Sequence, residues 1–184
     1  MNDFIKHLEN NVEWDKVFGV VNSLYSDKGF TSNADNFARA TMVEKAIDKF
    51  SNLDRVDQNG YDFLFNDKKV ELKMGKNLFY KRKDPNATKK FKVKSFLSET
   101  KTVEDFKQIS TYDYLLVIDL TAKRVVVVDD EHARSLYTEG ADGAMIALNK
   151  DDYYECTLPL ILHTKPPVDL SVLYNKADEQ FLSF

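Results

Sequence analysis

Residues 61–75 read YDFLFNDKKVELKMG. Two short runs of alternating apolar and polar residues flank a polar Asn-Asp-Lys-Lys centre, a pattern that predicts a β-hairpin. Strand side chains alternate faces with a period of two. Asp62 and Leu64 therefore share one face of the first strand, and Phe63 and Phe65 the other. On the second strand Glu71 and Lys73 share a face, opposite Val70, Leu72 and Met74. A two-residue turn at Asn66-Asp67 sets Phe63 against Val70 and Asp62 against Glu71. A four-residue turn sets Asp62 against Lys73 instead. Both registers bring Asp62, Glu71 and Lys73 to one side. Both send Phe63, Phe65, Val70 and Leu72 to the other, into a core.

The segments around the hairpin complete an α/β pattern. Phe4, Leu8, Val12, Val17, Val20, Val21 and Leu24 recur at helical spacing, which predicts one or two helices ending near Lys28-Gly29. Thr31, Ser32 and Asn33 are N-cap types, and Ser32 with Asp35 approaches a capping box. The helix they open runs to about Phe50, burying Phe37, Ala40, Val43, Ile47 and Phe50. After the hairpin, 77–82 and 89–96 alternate like the strands of a second hairpin around Asp84-Pro85-Asn86. Thr102 caps a helix to about Thr111. Tyr114–Leu120 is almost wholly apolar, as a strand buried on both faces requires, and Arg124–Val128 is another. Asp129 and Asp130 start a short helix to about Tyr137, and a loop spans Gly140–Gly143. Strands are expected at Ala144–Leu148 and Tyr153–Leu162, and a docked helix over Val168–Phe184. The pattern predicts a single α/β domain over residues 1–184, built on a central mixed sheet flanked by helices.

The chain's 184 residues are 43% hydrophobic and 12% aromatic, enough to build a core rather than a disordered segment. The single cysteine, Cys156, excludes an internal disulfide and a zinc site of several cysteines, and is expected to be buried and inert. His7, His132 and His163 have no metal-ligand spacing. Trp14 belongs to the expected core. No apolar run reaches the length of a membrane span or has the form of a signal peptide, so a cytoplasmic protein without a membrane partner is expected. No GxxxxGK[ST] loop is present, so no nucleotide cofactor is indicated.

Net charge is −4, but its distribution is uneven. From Lys76 to Lys101 nine basic residues face only Asp84 and Glu99, which makes this segment +7 and the rest of the chain −11. Lys76, Lys81, Arg82, Lys83, Lys89, Lys90, Lys92 and Lys94 interleave with Phe79, Tyr80, Phe91 and Phe96. The segment reads as a basic arm suited to a polyanion, or as a solvated lysine-rich loop.

Two carboxylates directly opposite each other in a hairpin repel. A cation between them removes the conflict. Mg²⁺ is commonly held by one or two carboxylates together with water and substrate phosphate, and a nearby lysine can reach that phosphate or an attacking water. The bland alternative is a half-exposed hairpin whose acids and lysines pair with one another. Acid-x-Lys also occurs at Asp67–Lys69, Glu99–Lys101 and Asp105–Lys107. Only Glu71–Lys73 lies in an apolar strand, has an upstream acid and leads into the cationic segment.

Asp62 followed by Glu71-Leu72-Lys73, with a helix before the hairpin and a helix and buried strand after it, resembles the PD-(D/E)XK signature of the restriction-endonuclease-like nucleases. Tyr61 stands where the motif has proline. The resemblance implies a restriction-endonuclease-like fold and a type II restriction-type endonuclease cutting duplex DNA, as a homodimer. It implies Mg²⁺, with Mn²⁺ as a substitute, held by Asp62, Glu71 and the Leu72 carbonyl. Lys73 would position or deprotonate water. Glu44, on the preceding helix, would be an additional acid. Gln108 and Tyr112 echo a Gln-x-x-x-Tyr pattern of exonuclease branches. The arm would then grip DNA phosphates beside the site. A structure-specific or repair nuclease, of junction-resolvase or exonuclease type, and a DNA-binding protein that has lost catalysis are the alternative readings.

Overall fold

A computed structural model of the chain describes residues 1–26, 33–58, 60–79, 84–95 and 102–159. The expected caps at Ser32 and Asp35, the cations Lys81, Arg82, Lys83 and Lys101, His163 and the expected helix over Val168–Phe184 lie outside the residues or side chains described.

The described chain falls into two compact units. One is built on Lys6–Arg55. Its helices are most of α1 (Asn2–Asn10), α2 (Trp14–Ser26) and α3 (Asn33–Phe50). Leu8, Val12, Val17, Val20, Val21 and Leu24 are all buried, as their spacing requires. Trp14 is buried too, and its indole N–H donates to the Leu8 carbonyl at 2.6 Å, so a large ring enters the core without stranding its polar atom. The Glu13 N–H donates to the Phe50 carbonyl at 2.8 Å, tying the start of α2 to the end of α3. On α3, Val43 and Ile47 are buried while Ala40 and Phe50 are half-buried.

The other unit comprises Met1–Ile5 and Val56–Thr157 and holds a mixed six-stranded sheet. Its strands are β1 (Asp54–Gln58), β2 (Tyr61–Phe65), β3 (Lys68–Gly75), β5 (Tyr114–Asp119), β6 (Arg124–Asp129) and β9 (Tyr154–Glu155), in the spatial order β1-β2-β3-β5-β6-β9. The hairpin closes as the two-residue register requires, with Phe65 against Lys68 and Phe63 against Val70. Asn66 and Asp67 both take positive φ, 48° and 62°, which this turn demands. β3 then pairs in parallel with β5, Glu71 against Leu115 and Lys73 against Val117. β5 pairs antiparallel with β6, and every β5 residue is buried.

A second sheet of three strands, in the order β4-β8-β7, joins β4 (Phe91–Ser95), β8 (Gly143–Ile146) and β7 (Thr138–Glu139). Two short helices complete the unit: α4 (Val103–Gln108), closed by a capping box between Thr102 and Asp105, and α5 (Asp130–Ser135), capped by Asp129. Leu115, Val117, Val126 and Val128 share one core with Val93, Phe106, Ala144 and Ile146. By register, Glu71 and Lys73 lie on that same face of the sheet. On the opposite face Phe63 and Val70 are fully buried. There the Phe4 ring stacks on Tyr114 at 5.0 Å and tilts against Phe65 at 5.2 Å.

Two expectations need correction. Among the described residues the second hairpin does not form. Residues after Gly75 turn, with Asn77 at φ 54°, and drive Leu78 and Phe79 into the core, while β4 finds its partner in β8 about fifty residues on. Of the basic segment, Phe91–Ser95 is thus a sheet strand, β4, paired with β8. The strand expected over Tyr153–Leu162 is only Tyr154–Glu155 within the described residues, although Cys156 still donates its N–H to Val125 and is buried.

Candidate active site

The site grows from the middle of β3. Glu71 is 7% exposed, at the border of the core, and its carboxylate forms a very short ion pair with the Lys73 ammonium two residues along the same face. Burial pushes the Glu71 carboxyl above the usual range. Lys73 opposes that shift, and the charge of Asp62 adds to it. Asp62 stands on β2, half-buried, and its Oδ2 accepts the Leu72 N–H at 2.6 Å. The two carboxylates therefore flank Leu72, and the Leu72 carbonyl leaves β3 toward the same edge as its N–H. Asp62, Glu71 and Lys73 converge as the hairpin alternation requires.

This donor set fits a hydrated Mg²⁺. Asp62 Oδ1 and Glu71 Oε2 make no hydrogen bond among the described residues, which leaves one free carboxylate oxygen from each strand beside a backbone carbonyl. Mg²⁺ keeps several waters and takes one or two protein carboxylates. Among the described residues no group of three or more His, Cys, Asp or Glu side chains forms a metal cluster.

Glu44 lies in the first unit and is engaged there. Arg55 donates to its Oε2 from Nη2 at 3.0 Å and from Nε at 3.2 Å. Of the cationic segment, Lys76 and Lys89 are exposed, Lys90 donates to the Glu139 carbonyl at 3.3 Å, and Lys92 pairs with Asp142 at 2.6 Å. Lys94 differs: it turns inward, half-buried, and donates to the Thr111 hydroxyl through a very short bond. Its ammonium also lies 5.6 Å from the centre of the Tyr112 ring. Burial lowers its pKa from the usual lysine value, with Glu71 opposing the shift.

Behind these groups lies a buried hydroxyl pair. Tyr112 and Tyr137 share a very short hydrogen bond, and burial pushes the Tyr112 phenol far up and the Tyr137 phenol to about 12. Ser110 and Arg134 both bond Asp130 Oδ2, at 2.6 and 2.9 Å. Tyr112 thus belongs to the core, and Gln108 ends α4 at the surface. Asp119 acts as a turn cap, accepting the N–H groups of Thr121, Ala122 and Phe79. His132 bonds Asp152 at 3.0 Å, and His7 is buried.

Sequence reasoning placed Lys94 among the exposed cations. Strict alternation groups it with Lys92. A bulge between Lys92 and Lys94 breaks that alternation, and Val93 and Lys94 both line a cavity of about 220 Å³ that reaches Glu71. No local signal marks such a bulge. No helix among the described residues is long and apolar enough to cross a membrane. No family model, curated protein or solved structure matches this chain.

Proposed function

We propose that this protein is a Mg²⁺-dependent nuclease that hydrolyses phosphodiester bonds in duplex DNA, in the manner of a type II restriction endonuclease acting as a homodimer. One observation carries the reading: Asp62, Glu71 and Lys73 converge around Leu72, two free carboxylate oxygens beside a lysine. The element order supports it. Helix α3 precedes the β1-β2-β3 meander, α4 lies in the crossover, and β5 returns parallel to β3, an order consistent with a restriction-endonuclease-like fold.

In this reading Asp62, Glu71 and the Leu72 carbonyl would hold the ion. Mg²⁺ bound there supplies Lewis acidity at the phosphate and lowers the pKa of the attacking water. Lys73 orients that water from Nζ, fixed in place by Glu71 Oε1. The water gives up a proton to solvent as its oxygen bonds to phosphorus and one P–O ester bond breaks, and the leaving oxygen takes a proton from solvent. Glu71 and Lys73 are held by the parallel pairing of residues 70–75 with β5 and by the Asp62 carboxylate bonded to the Leu72 N–H between them.

Supercoiled plasmid with Mg²⁺ tests the reading on wild type, Asp62→Ala and Lys73→Met. Cleavage by wild type alone is expected. Failure of wild type to cut any form of DNA refutes the nuclease, and cleavage retained by Asp62→Ala refutes the site. Discrete fragments from a large natural DNA support sequence-specific restriction, whereas trimming from ends supports the exonuclease alternative.

A further inference from the structure

The cavity of about 220 Å³ beside Glu71 has a mixed lining. Val93, Phe106 and Ile109 are its apolar residues. Lys94, Ser95, Thr111 and Glu71 are its polar ones. Lys94 is a half-buried ammonium whose hydrogen bond among the described residues goes to a neutral hydroxyl. Lys68, Lys73 and Lys92 each bond a carboxylate directly. A half-buried cation with no carboxylate bonded to it among the described residues is costly to desolvate, and an incoming anion recovers part of that cost.

The hydroxyls complete an anion-binding set. Thr111 Oγ1 accepts from Lys94, which leaves its own O–H free to donate. Ser95 offers a second O–H at the rim. Gly60, beside Thr111, lines the cavity at φ 105°, where a Cβ would lie 3.1 Å from the Thr111 Cβ. The β4 bulge aims Lys94 inward at this point and at no other lysine of the strand.

We infer that this cavity is a phosphate subsite, in which Lys94 Nζ and the Thr111 hydroxyl hold non-bridging oxygens of a nucleic-acid phosphate next to the one at Glu71. The apolar residues then receive the adjoining sugar. The identity of the phosphate's owner rests on the nuclease reading; the anion site itself does not.

The test uses the full chain in EDTA, so that no DNA is cut. Inorganic phosphate and a 12-base-pair duplex are titrated separately while backbone amide signals are followed. Both probes are expected to move the signals of Gly60, Lys94, Ser95 and Thr111. Lys94→Met is expected to abolish the phosphate response, to weaken duplex binding about tenfold or more, and to flatten its log–log salt dependence by about 1. Lys94→Arg should retain most of the affinity, and Thr111→Val should lose part of it, which gives a second readout should the Met variant fold poorly. The melting temperature of Lys94→Met is expected to equal or exceed that of wild type, because a half-buried charge has been removed. Wild-type affinity in both Lys94→Met and Thr111→Val, or signal changes confined to other residues, overturns the subsite. Phosphate binding at Lys94 in a protein that cuts no DNA supports the subsite while refuting hydrolysis. Mg²⁺-dependent cleavage with unchanged binding in both variants refutes the subsite alone.

Discussion

Replacing Asp62 by alanine removes the acceptor that Leu72 N–H meets at 2.6 Å between two strands. Leu72 is 5% exposed, so its N–H has little recourse to water. An orphaned buried donor costs about 1–3 kcal/mol, and the half-exposed position of Asp62 argues for the lower part, about 1–2 kcal/mol. For a chain of this size each kcal/mol shifts the melting temperature by about 2–4 °C, so Asp62→Ala should melt about 2–8 °C below wild type. Asparagine keeps an amide oxygen for Leu72 and removes the repulsion with Glu71, so Asp62→Asn should stay within about 0.5 kcal/mol of wild type. Magnesium separates the two effects. At ten times its Kd it should stabilise wild type by about 1.4 kcal/mol, which is about 3–5 °C, and stabilise neither variant. Thermal melts of the three proteins, with and without Mg²⁺, give all these values. A wild-type Mg²⁺ shift in Asp62→Asn would remove Asp62 from the metal site. An unchanged melt of Asp62→Ala would refute the hydrogen-bond argument.

Gly143→Ala would set a Cβ 1.9 Å from the Lys94 carbonyl oxygen, so β4 must move; chemical denaturation should report a loss of about 3 kcal/mol or more, and a loss under 1 kcal/mol would contradict the β4–β8 register. Burial raises the Asp113 carboxyl, but the Lys69 N–H and the Lys68 ammonium more than offset this and hold it below the usual range. Its stabilisation is therefore present above about pH 4 and lost as pH falls through its folded value, so the melting gap between wild type and Asp113→Asn should close in acid. Glu71 has the opposite sign. With its carboxyl raised by burial, its contribution is full below about pH 4.3 and lost as pH rises through the folded value. The melting temperature of Glu71→Gln relative to wild type should therefore climb with pH above about 4, and a flat difference would show that Glu71 is not desolvated.

Much of the fold was legible because local chemistry and tertiary structure agree. Asn66-Asp67 tolerates the two positive φ values that fix the hairpin register, and the alternation along its two strands brings Asp62, Glu71 and Lys73 together. The apolar runs of β5 and β6 and the Thr102–Asp105 cap are equally local signals. The errors lie where a distant partner decides. Residues 77–79 have the alternation of a strand, yet Asp119 captures the Phe79 N–H at 2.9 Å and holds the chain in a turn. β4 looks like half of a hairpin, but its partner is β8. Lys94 was read with the exposed cations because a bulge leaves no mark in FKVKS. The Tyr112–Tyr137 pair joins residues 25 apart, through packing that neither neighbourhood encodes.

The pairing of β4 with β8 also sets an order of assembly during synthesis. Asp62, Glu71 and Lys73 are all made by the time the ribosome has passed Gly75, and β5 braces them once residue 119 is out. Lys94 has been made by then too, but the strand it pairs with, Gly143–Ile146, comes later. A half-made chain therefore has its acids in place well before the pocket wall beside them closes.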